Sequence, residues 1–324
     1  MHKITLIEVW LFNWWRNNCY TTQMKQIAII GPTASGKSDL AIAMALQHNA
    51  YIISIDSLSI YKEIDIASAK PSKEELAQVE HFGVDEITVD QHFDVAIFIR
   101  LYKEVYAKAK KEGKNLIIVG GTSFYLKSLT SGLSELPLYS ESTKAAVSKM
   151  LQDLPAAYTF LKERDPEYMK QIKESDAYRI EKMLLLTLES KMTPTQWFAG
   201  HPPKPIIEEL KIFNIDVQRP LLRERIEVRT RKMLEMGLID EIATLERKYG
   251  RNHNAMKAIG IIEVLEFLDG AFTKEEMCDA IITHTAQLAK RQQTFNRTQF
   301  VDAISAELKL LPQLISESFT KDTV

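Results

Sequence analysis

Short apolar runs alternate with amphipathic stretches along the first 140 residues, and this alternation predicts an α/β fold. The runs predicted to be buried strands are residues 25–30, 51–55 and 115–119, with a further one at 210–215. The stretches predicted to be helices are residues 39–47, 93–111 and 123–131. Strands that are apolar throughout and are separated by helices are typical of a parallel sheet covered on both faces. We therefore expect a parallel sheet with flanking helices.

The pattern changes between residues 140 and 192, where charged helical segments occur without any strand pattern. The predicted helices are residues 143–154, 156–164, 166–173 and 177–190. Prolines 202, 203 and 205 mark the end of this region, because proline interrupts helices. We interpret residues 140–205 as an all-helical insertion into a core made of residues 24–139 and 206–324. C-terminal helices are predicted at 219–236, 238–247, from 256 onward, and at 274–297.

A phosphate-binding motif, G-x-x-x-x-G-K-[ST], lies between the first predicted strand and helix. Its residues are Gly31, Pro32, Thr33, Ala34, Ser35, Gly36, Lys37 and Ser38. Such a loop directs backbone N–H groups and a helix N-terminus at phosphate oxygens, while the lysine adds a full positive charge. The serine hydroxyl can hold Mg²⁺. The motif predicts a P-loop NTPase-like sheet and a phosphorylated ligand, with Ser38 as the metal ligand and Mg²⁺ as the cofactor. It does not identify the ligand.

Polar residues follow two other predicted strands. Asp56 comes after the second strand, and Thr122 follows the pair Gly120-Gly121 after the third. The carboxyl ends of parallel strands line the ligand crevice of such sheets, so both side chains are expected near the phosphate loop. The alternative is that Asp56 and Thr122 are ordinary turn or helix-cap residues.

Composition limits the possible classes of protein. The net charge of −2 gives no overall attraction to nucleic acid, so RNA binding would need local basic patches. The two cysteines, Cys19 and Cys278, form neither a disulfide framework nor a metal cluster. No apolar run is long enough to span a membrane, and we expect a cytoplasmic monomer.

Residues 1–23 contain three of the four tryptophans and look unlike the rest of the chain. We therefore suspect that translation starts at Met24. The alternative is that residues 1–23 form a genuine amphipathic arm.

Two classes of enzyme fit a phosphate loop that faces an aspartate: a small-molecule or nucleoside kinase, and a transferase whose leaving group is diphosphate. A kinase needs a carboxylate on magnesium and a charged lid. Only Asp56 stands out as such a carboxylate, and the third strand ends in Gly-Gly instead, which favours the transferase without excluding the kinase. Basic residues at 219–232 and 290–297 indicate either solvated helix faces or surfaces that contact phosphates.

The full set of motifs resembles the bacterial tRNA dimethylallyltransferase (tRNA isopentenyltransferase) family. The matching residues run in order from 27 to 297. Besides the phosphate loop they are Asp56-Ser57, Tyr61, Asp65-Ile66, Ala69-Lys70-Pro71, Val119 to Thr122, Tyr125, Arg179, Arg225-Ile226, Arg229, Met233 to Gly237, Ala258-Ile259-Gly260, Gln287 and Ala289 to Gln292.

The resemblance implies transfer of a dimethylallyl group from dimethylallyl diphosphate to N6 of the adenosine 3′ of the anticodon. It assigns Asp56 as the proton acceptor and Lys37 to the departing diphosphate, with Thr33 and Thr122 lining the reaction channel. The closest rival is an isopentenyltransferase acting on adenine nucleotides, which would need neither the helical insertion nor the basic C-terminal helices.

The resemblance also implies that the insertion and the C-terminal helices hold the anticodon stem-loop. The implied tRNA contacts are Asp56, Ser57, Leu58, Ser59, Thr122, Lys144, Tyr178, Arg179, Ile180, Glu181, Lys182, Lys290 and Arg291.

The chain departs from the family pattern at several of these surfaces. Lys144 and Lys182 stand where many relatives have arginine, which would replace a bidentate phosphate contact by a point charge. Other departures are Ile261, Ala286 and Phe295-Asn296, which affect the expected details of tRNA contact rather than the reaction.

Overall fold

A parallel sheet forms the centre of the protein. The structure is a computed structural model that describes residues 24–320, so the prediction for residues 1–23 lies outside the described residues. The strands are β1 (Gln26–Ile30), β2 (Ala50–Ser54), β3 (His81–Phe82), β4 (Asn115–Gly120), β5 (Lys211–Ile215) and β6 (Ile304–Ala306). Their order across the sheet is β3-β2-β4-β1-β5-β6, and each pairing is parallel. The predicted α/β class is confirmed.

The described residues divide into two compact units, one of residues 128–208 and one of residues 24–127 and 209–320. The helices that begin before residue 128 are α1 (Lys37–Gln47), α2 (Lys73–Leu76), α3 (Val95–Glu112) and α4 (Ser123–Ser131), the last of which crosses the boundary. After residue 208 the sheet unit continues with α10 (Arg219–Glu235), α11 (Leu238–Tyr249), a 3₁₀ turn (Asn254–Lys257), α12 (Ile261–Leu268), α13 (Lys274–Gln299) and α14 (Leu311–Thr320).

The residues 128–208 unit is entirely helical within its described elements. It contains α5 (Glu141–Met150), α6 (Leu154–Arg164), α7 (Pro166–Met169), α8 (Ala177–Ser190) and α9 (Pro194–Gly200). Apolar residues from these helices form its own core, and Asp165 ties α7 to α9 through hydrogen bonds to the backbone N–H and the hydroxyl of Thr195. The boundaries predicted from sequence, 140 and 205, both fall inside this unit.

Burial explains why the central strands were recognisable. Ile29, Ile30, Ile53 and Ile117 are fully buried, as the continuous apolar runs require. The register then sets the position of the loops: Ile30 of β1 pairs with Gly120 of β4, and Ser54 of β2 pairs with Val119. The segments that leave β1, β2 and β4 therefore emerge side by side at one edge of the sheet.

The sequence prediction missed several elements. The edge strands β3 and β6 have two and three residues, too few to show a periodic pattern. Helix α9 lies between the last helix predicted in the insertion, 177–190, and the prolines at 202–205, where no helix is predicted. The helix predicted from residue 256 begins at Ile261 instead, because Gly260 has a φ of +93° and separates it from the 3₁₀ turn. Within residues 24–320 there is no helix of the length and apolar character needed to cross a bilayer.

Candidate active site

The phosphate loop connects β1 to α1 and closes tightly on itself. Gly36, with a φ of +88°, precedes the first residue of α1, Lys37. A Cβ atom at Gly31 would lie 2.9 Å from the hydroxyl of buried Ser35, so the loop leaves no room for a side chain there. The Lys37 ammonium folds back and donates to the carbonyl of Pro32 at 3.3 Å. The loop is therefore a preformed turn with a lysine held inside it.

Two cations share this region with one carboxylate. The pKa of Lys37 is lowered to about 8, chiefly by burial. The charge of Asp56 opposes this shift, and the neighbouring charge of Arg229 adds to it. Burial also lowers the pKa of Arg229, and Asp56 again opposes the shift. A partly buried pair of cations facing a single carboxylate is short of negative charge, which favours binding of an anion.

Asp56 is held by its own turn beyond β2. Its Oδ1 atom accepts hydrogen bonds from the backbone N–H groups of Leu58, at 2.9 Å, and Ser59, at 3.4 Å. The N–H of Asp56 itself donates to the Ser54 hydroxyl. This Asx turn is the structural role that the sequence offered as the alternative for an aspartate at a strand end. The carboxylate is also one of the residues lining the cavity described below, so the two roles coexist.

The Gly-Gly pair allows β4 to approach the Asp56 turn. A Cβ atom at Gly120 would lie 2.9 Å from the backbone carbon of Ile55 and 3.0 Å from the nitrogen of Asp56. Thr122 continues this contact, because its hydroxyl accepts from the N–H of Ser57 and donates to the Ser57 hydroxyl. The absence of a side chain at Gly120 therefore allows two neighbouring backbone segments to lie in close contact.

Two residues from the C-terminal helices complete the site. The Gln292 side chain accepts from the N–H of Thr33 at 2.9 Å and donates to the carbonyl of Gly121 at 3.0 Å. It thus joins the phosphate loop to the loop after β4. Arg229 of α10 donates to the Thr33 hydroxyl at 3.3 Å. Sequence reasoning included both residues in the matching motifs but gave neither a place in the phosphate site.

These loops enclose a cavity of about 560 Å³, and the structure brings all four predicted catalytic residues into its wall. Its lining includes Thr33, Lys37, Asp56, Thr122, Arg229, Lys257, Arg291 and Gln292. A second cavity of about 70 Å³ is lined by Lys37, Ser38, Asp56 and Arg229 among others. A third, of about 800 Å³, lies along residues 34–39 of the phosphate loop and the start of α1.

The residues present fit a magnesium ion bound together with phosphates. Ser38 and Asp56 line the same small cavity and provide a hydroxyl and a carboxylate oxygen. Within the described part of the chain, no cluster of three or more His, Cys, Asp or Glu residues could hold a metal by itself. Magnesium commonly binds through one or two protein oxygens with phosphate oxygens and water supplying the rest.

The residues implied in tRNA contact are spread over both units. On α8, Tyr178 is 68% exposed and Lys182 lies over its ring, with 5.3 Å from Nζ to the ring centroid. Arg179 is exposed and paired with Asp176, and on α5 Lys144 pairs with Glu141 at 2.7 Å. On α13, Lys290 and Arg291 are exposed.

Two of the residues predicted to contact tRNA have buried side chains. The Ile180 side chain is fully buried among the apolar residues of the helical unit, and Ser59 is 6% exposed. Ile180 is buried because α8 packs one apolar face into the core of the helical unit, whereas Ser59 is buried in the Asp56 turn. The five-residue stretch 178–182 therefore presents Tyr178, Arg179, Glu181 and Lys182.

Comparison with known proteins shows the family to which the chain is similar. A model of the IPP transferase family matches residues 59–299. The tRNA dimethylallyltransferase of Sulfurimonas denitrificans is 59% identical over 292 residues, covering 90% of this chain and 98% of that protein. The enzyme of the same name from Sulfurovum sp. is 52% identical and covers 90% of this chain and 97% of its own length.

Solved structures show the same architecture. The tRNA isopentenylpyrophosphate transferase from Bacillus halodurans aligns with a TM-score of 0.67 at 26% identity, over 91% of this chain and 96% of that one. A eukaryotic dimethylallyltransferase acting on tRNA aligns with a TM-score of 0.77 at 23% identity, over 88% of this chain and 74% of that one, which shows a shared fold. Because the family model and relatives more than half identical extend across most of the chain, the protein belongs to the IPP transferase family.

Proposed function

We propose that this protein transfers the dimethylallyl group of dimethylallyl diphosphate to N6 of the adenosine directly 3′ of the anticodon in tRNA, forming N6-isopentenyladenosine and diphosphate. The observation that carries the proposal is the pairing of Lys37 and Arg229 with a single carboxylate, Asp56, in the wall of one cavity. The excess positive charge can bind the diphosphate, and the carboxylate can accept a hydrogen bond and then a proton from the attacking amine.

The diphosphate end of the donor fits the phosphate loop. Backbone N–H groups at the start of α1, the helix dipole and the Lys37 ammonium would all lie against its oxygens. Arg229 adds a second cation, and Ser38 would hold Mg²⁺, which when bound neutralises charge on the leaving diphosphate. An allylic carbon tolerates positive charge, so stabilising the leaving group is expected to be the main electrostatic contribution to catalysis.

Asp56 would act on the acceptor. As the bond between the allylic C1 and the diphosphate oxygen breaks, its electron pair stays with diphosphate and a new bond forms between C1 and N6. The N6 amine then loses one proton, and we assign the Asp56 carboxylate in the cavity wall as the acceptor of that proton. The Asx turn that fixes Oδ1 also fixes the direction of the carboxyl group, which favours one orientation of the amine.

The adenine must leave the stack of the anticodon loop to reach this cavity, at a cost of a few kcal/mol. Contacts to the RNA backbone and stacking on exposed aromatic side chains can offset this cost. Tyr178, Arg179 and Lys182 on α8 and Lys290 and Arg291 on α13 provide such groups. We assign them, with Ser57, Leu58, Thr122, Lys144 and Glu181, to tRNA binding.

A direct assay separates the alternatives. The purified protein is incubated with radiolabelled dimethylallyl diphosphate and either unmodified tRNA or AMP, and separately with ATP and adenosine. We expect label on tRNA only, at the adenosine next to the anticodon. Label on AMP alone would indicate an adenine-nucleotide isopentenyltransferase, and phosphate on adenosine would indicate a kinase; either result overturns the proposal.

A further inference from the structure

The segment Asp65 to Pro71 carries one of the sequence motifs for which the reaction outlined above gives no role. It lies after the Asp56 turn and forms part of the wall of each cavity at the site. Ala67 and Ser68 line the 560 Å³ cavity, while Asp65, Ile66, Ala69, Lys70 and Pro71 line the 800 Å³ cavity beside the phosphate loop. The position of the 65–71 segment therefore affects the shape of both cavities.

Three consecutive backbone N–H groups of this segment converge on one carboxylate. Glu241 Oε2 accepts from the N–H of Asp65 at 3.0 Å and from that of Ile66 at 2.8 Å, and Oε1 accepts from Ala67 at 2.9 Å. Glu241 lies in the first turn of α11, where the helix dipole favours a negative charge. Hydrogen bonds to an ionised acceptor are about twice as strong as neutral ones, so Glu241 holds this segment firmly.

Lys70 fixes the same segment from within. Its side chain is only 4% exposed, and the ammonium contacts the carbonyl of Tyr61 at 2.7 Å, Asp65 at 2.8 Å and Asp85 at 2.6 Å. An ammonium has three hydrogens to donate, and these contacts use all three. Lys70 therefore holds the chain in place and is not a free cation for phosphate, although it lines the cavity beside the phosphate loop.

We infer that Glu241 is a positioning residue, which acts on the reaction by holding the 65–71 segment in the shape that the donor and the acceptor adenosine require. This rests on the proposed function. Neutral glutamine at position 241 would present an amide N–H₂ group to at least one backbone N–H, so it cannot accept all three hydrogen bonds. The segment would then be free to shift against the Asp56 turn and the phosphate loop.

The chain offers a matched control in Asp240. This residue precedes Glu241 in the first turn of α11 and is exposed. Asp240→Asn removes the same charge from the same helix turn without touching the 65–71 segment. A difference between Glu241→Gln and Asp240→Asn therefore reports the hydrogen bonds rather than the helix dipole.

Steady-state kinetics with tRNA and dimethylallyl diphosphate, measured well below the melting temperature, test the inference. We expect Glu241→Gln and Glu241→Ala to lower kcat or raise the donor KM at least tenfold, while Asp240→Asn matches wild type. Formate at tens of millimolar is expected to restore part of the rate of Glu241→Ala, because its carboxylate fits the vacated N–H groups, and to leave the other proteins unchanged. Loss of fold alone would lower the active fraction without responding to formate.

Hydrogen exchange gives a readout that does not depend on the reaction. We expect faster exchange of the amides at 65–67 in Glu241→Ala than in wild type or Asp240→Asn. Wild-type kinetics for Glu241→Ala, or the same loss in Asp240→Asn, would overturn the inference. An inactive wild type would instead count against the proposed function, while the exchange difference would still show whether Glu241 holds the segment.

Discussion

Arg229 and Thr33 are 196 positions apart in the chain, yet the guanidinium of Arg229 donates to the Thr33 hydroxyl at 3.3 Å. This contact places a cation of helix α10 against the middle of the phosphate loop. It also links the charge of Arg229 to that of Lys37, whose pKa the guanidinium lowers. The phosphate loop of this protein thus lies against a second cation that the motif does not contain.

Arg229 is expected to contribute directly to diphosphate binding and to catalysis. Arg229→Met should weaken binding of inorganic diphosphate and lower kcat by about 10²–10³-fold, since it removes a charged donor from the site where negative charge develops. Thr33→Ala should cost less, about tenfold, and Thr33→Ser should be near wild type because it keeps the hydroxyl. Calorimetry with diphosphate and single-turnover transfer assays measure the two effects. Equal effects of Arg229→Met and of Arg231→Met, an arginine of the same helix paired with Glu227, would contradict this role.

Lys37 predicts a pH dependence of diphosphate binding. Its pKa of about 8 means that, in the free site, the Lys37 side chain is charged below pH 8 and neutral above it. Bound diphosphate raises that pKa, so the affinity should be constant below pH 8 and then fall by up to about tenfold per pH unit. Calorimetry with wild type and Lys37→Met from pH 6.5 to 9.5 measures this affinity. Lys37→Met lacks the titrating group and should show no such fall. Because the ionisation of diphosphate affects both proteins equally, the difference between them reports Lys37 alone.

The same lowered pKa predicts the sign of a stability effect. Between about pH 8 and the unfolded value of 10.5, the unfolded chain binds a proton at Lys37 that the folded chain does not. The free energy of unfolding of the ligand-free protein should therefore rise with pH across this window. At pH 7 the buried charge costs on the order of 1–3 kcal/mol, which Lys37→Met should recover. Denaturant unfolding at pH 7 and pH 9.5 measures both effects; a Lys37→Met protein less stable than wild type at pH 7 would contradict them.

The central part of the fold and site was predictable because its causes are local. Buried strands such as 115–119 are apolar at every position, and the spacing of the phosphate loop is fixed by the turn it makes. Asp56 could be placed near that loop because parallel strands end at a common edge. The position of Thr122 near the loop could be predicted by the same reasoning.

The rest depends on packing between distant parts of the chain. Helix α10 has cations on several faces, and nothing local separates Arg229, which faces the site, from Arg231, which pairs with Glu227 in solvent. Glu241 reaches backbone groups more than 170 positions away, so no sequence period reports its role. The edge strand β6 is defined by its pairing with β5 rather than by its own three residues.

Asp56 offers a test that separates chemistry from loop structure. Asp56→Asn keeps an oxygen that can accept from the N–H groups of Leu58 and Ser59, but it cannot take a proton from N6. We expect kcat to fall by about 10²–10⁴-fold while the Kd for tRNA stays unchanged. Asp56→Ala should lose the turn as well and show weaker tRNA binding. Activity of Asp56→Asn near wild type would exclude Asp56 as the proton acceptor.

Tyr178 and Lys182 form part of the surface of the helical unit that we assign to RNA binding. Lys182 lies over the ring of exposed Tyr178, so the two side chains together offer a cation for a phosphate and a face for a base. Lys182→Met should therefore weaken tRNA binding and lower the slope of log Kd against log salt by about 0.7, the value for one phosphate contact to a single strand. Tyr178→Ala should weaken binding by about 1–3 kcal/mol through lost stacking and leave that slope nearly unchanged. Lys170→Met is the matched control, because Lys170 is exposed in the same unit and pairs with Glu167 at 2.5 Å. If Lys170→Met changed the salt slope as much as Lys182→Met, the effect would belong to the overall charge of the unit, and α8 would lose its assignment as an RNA contact.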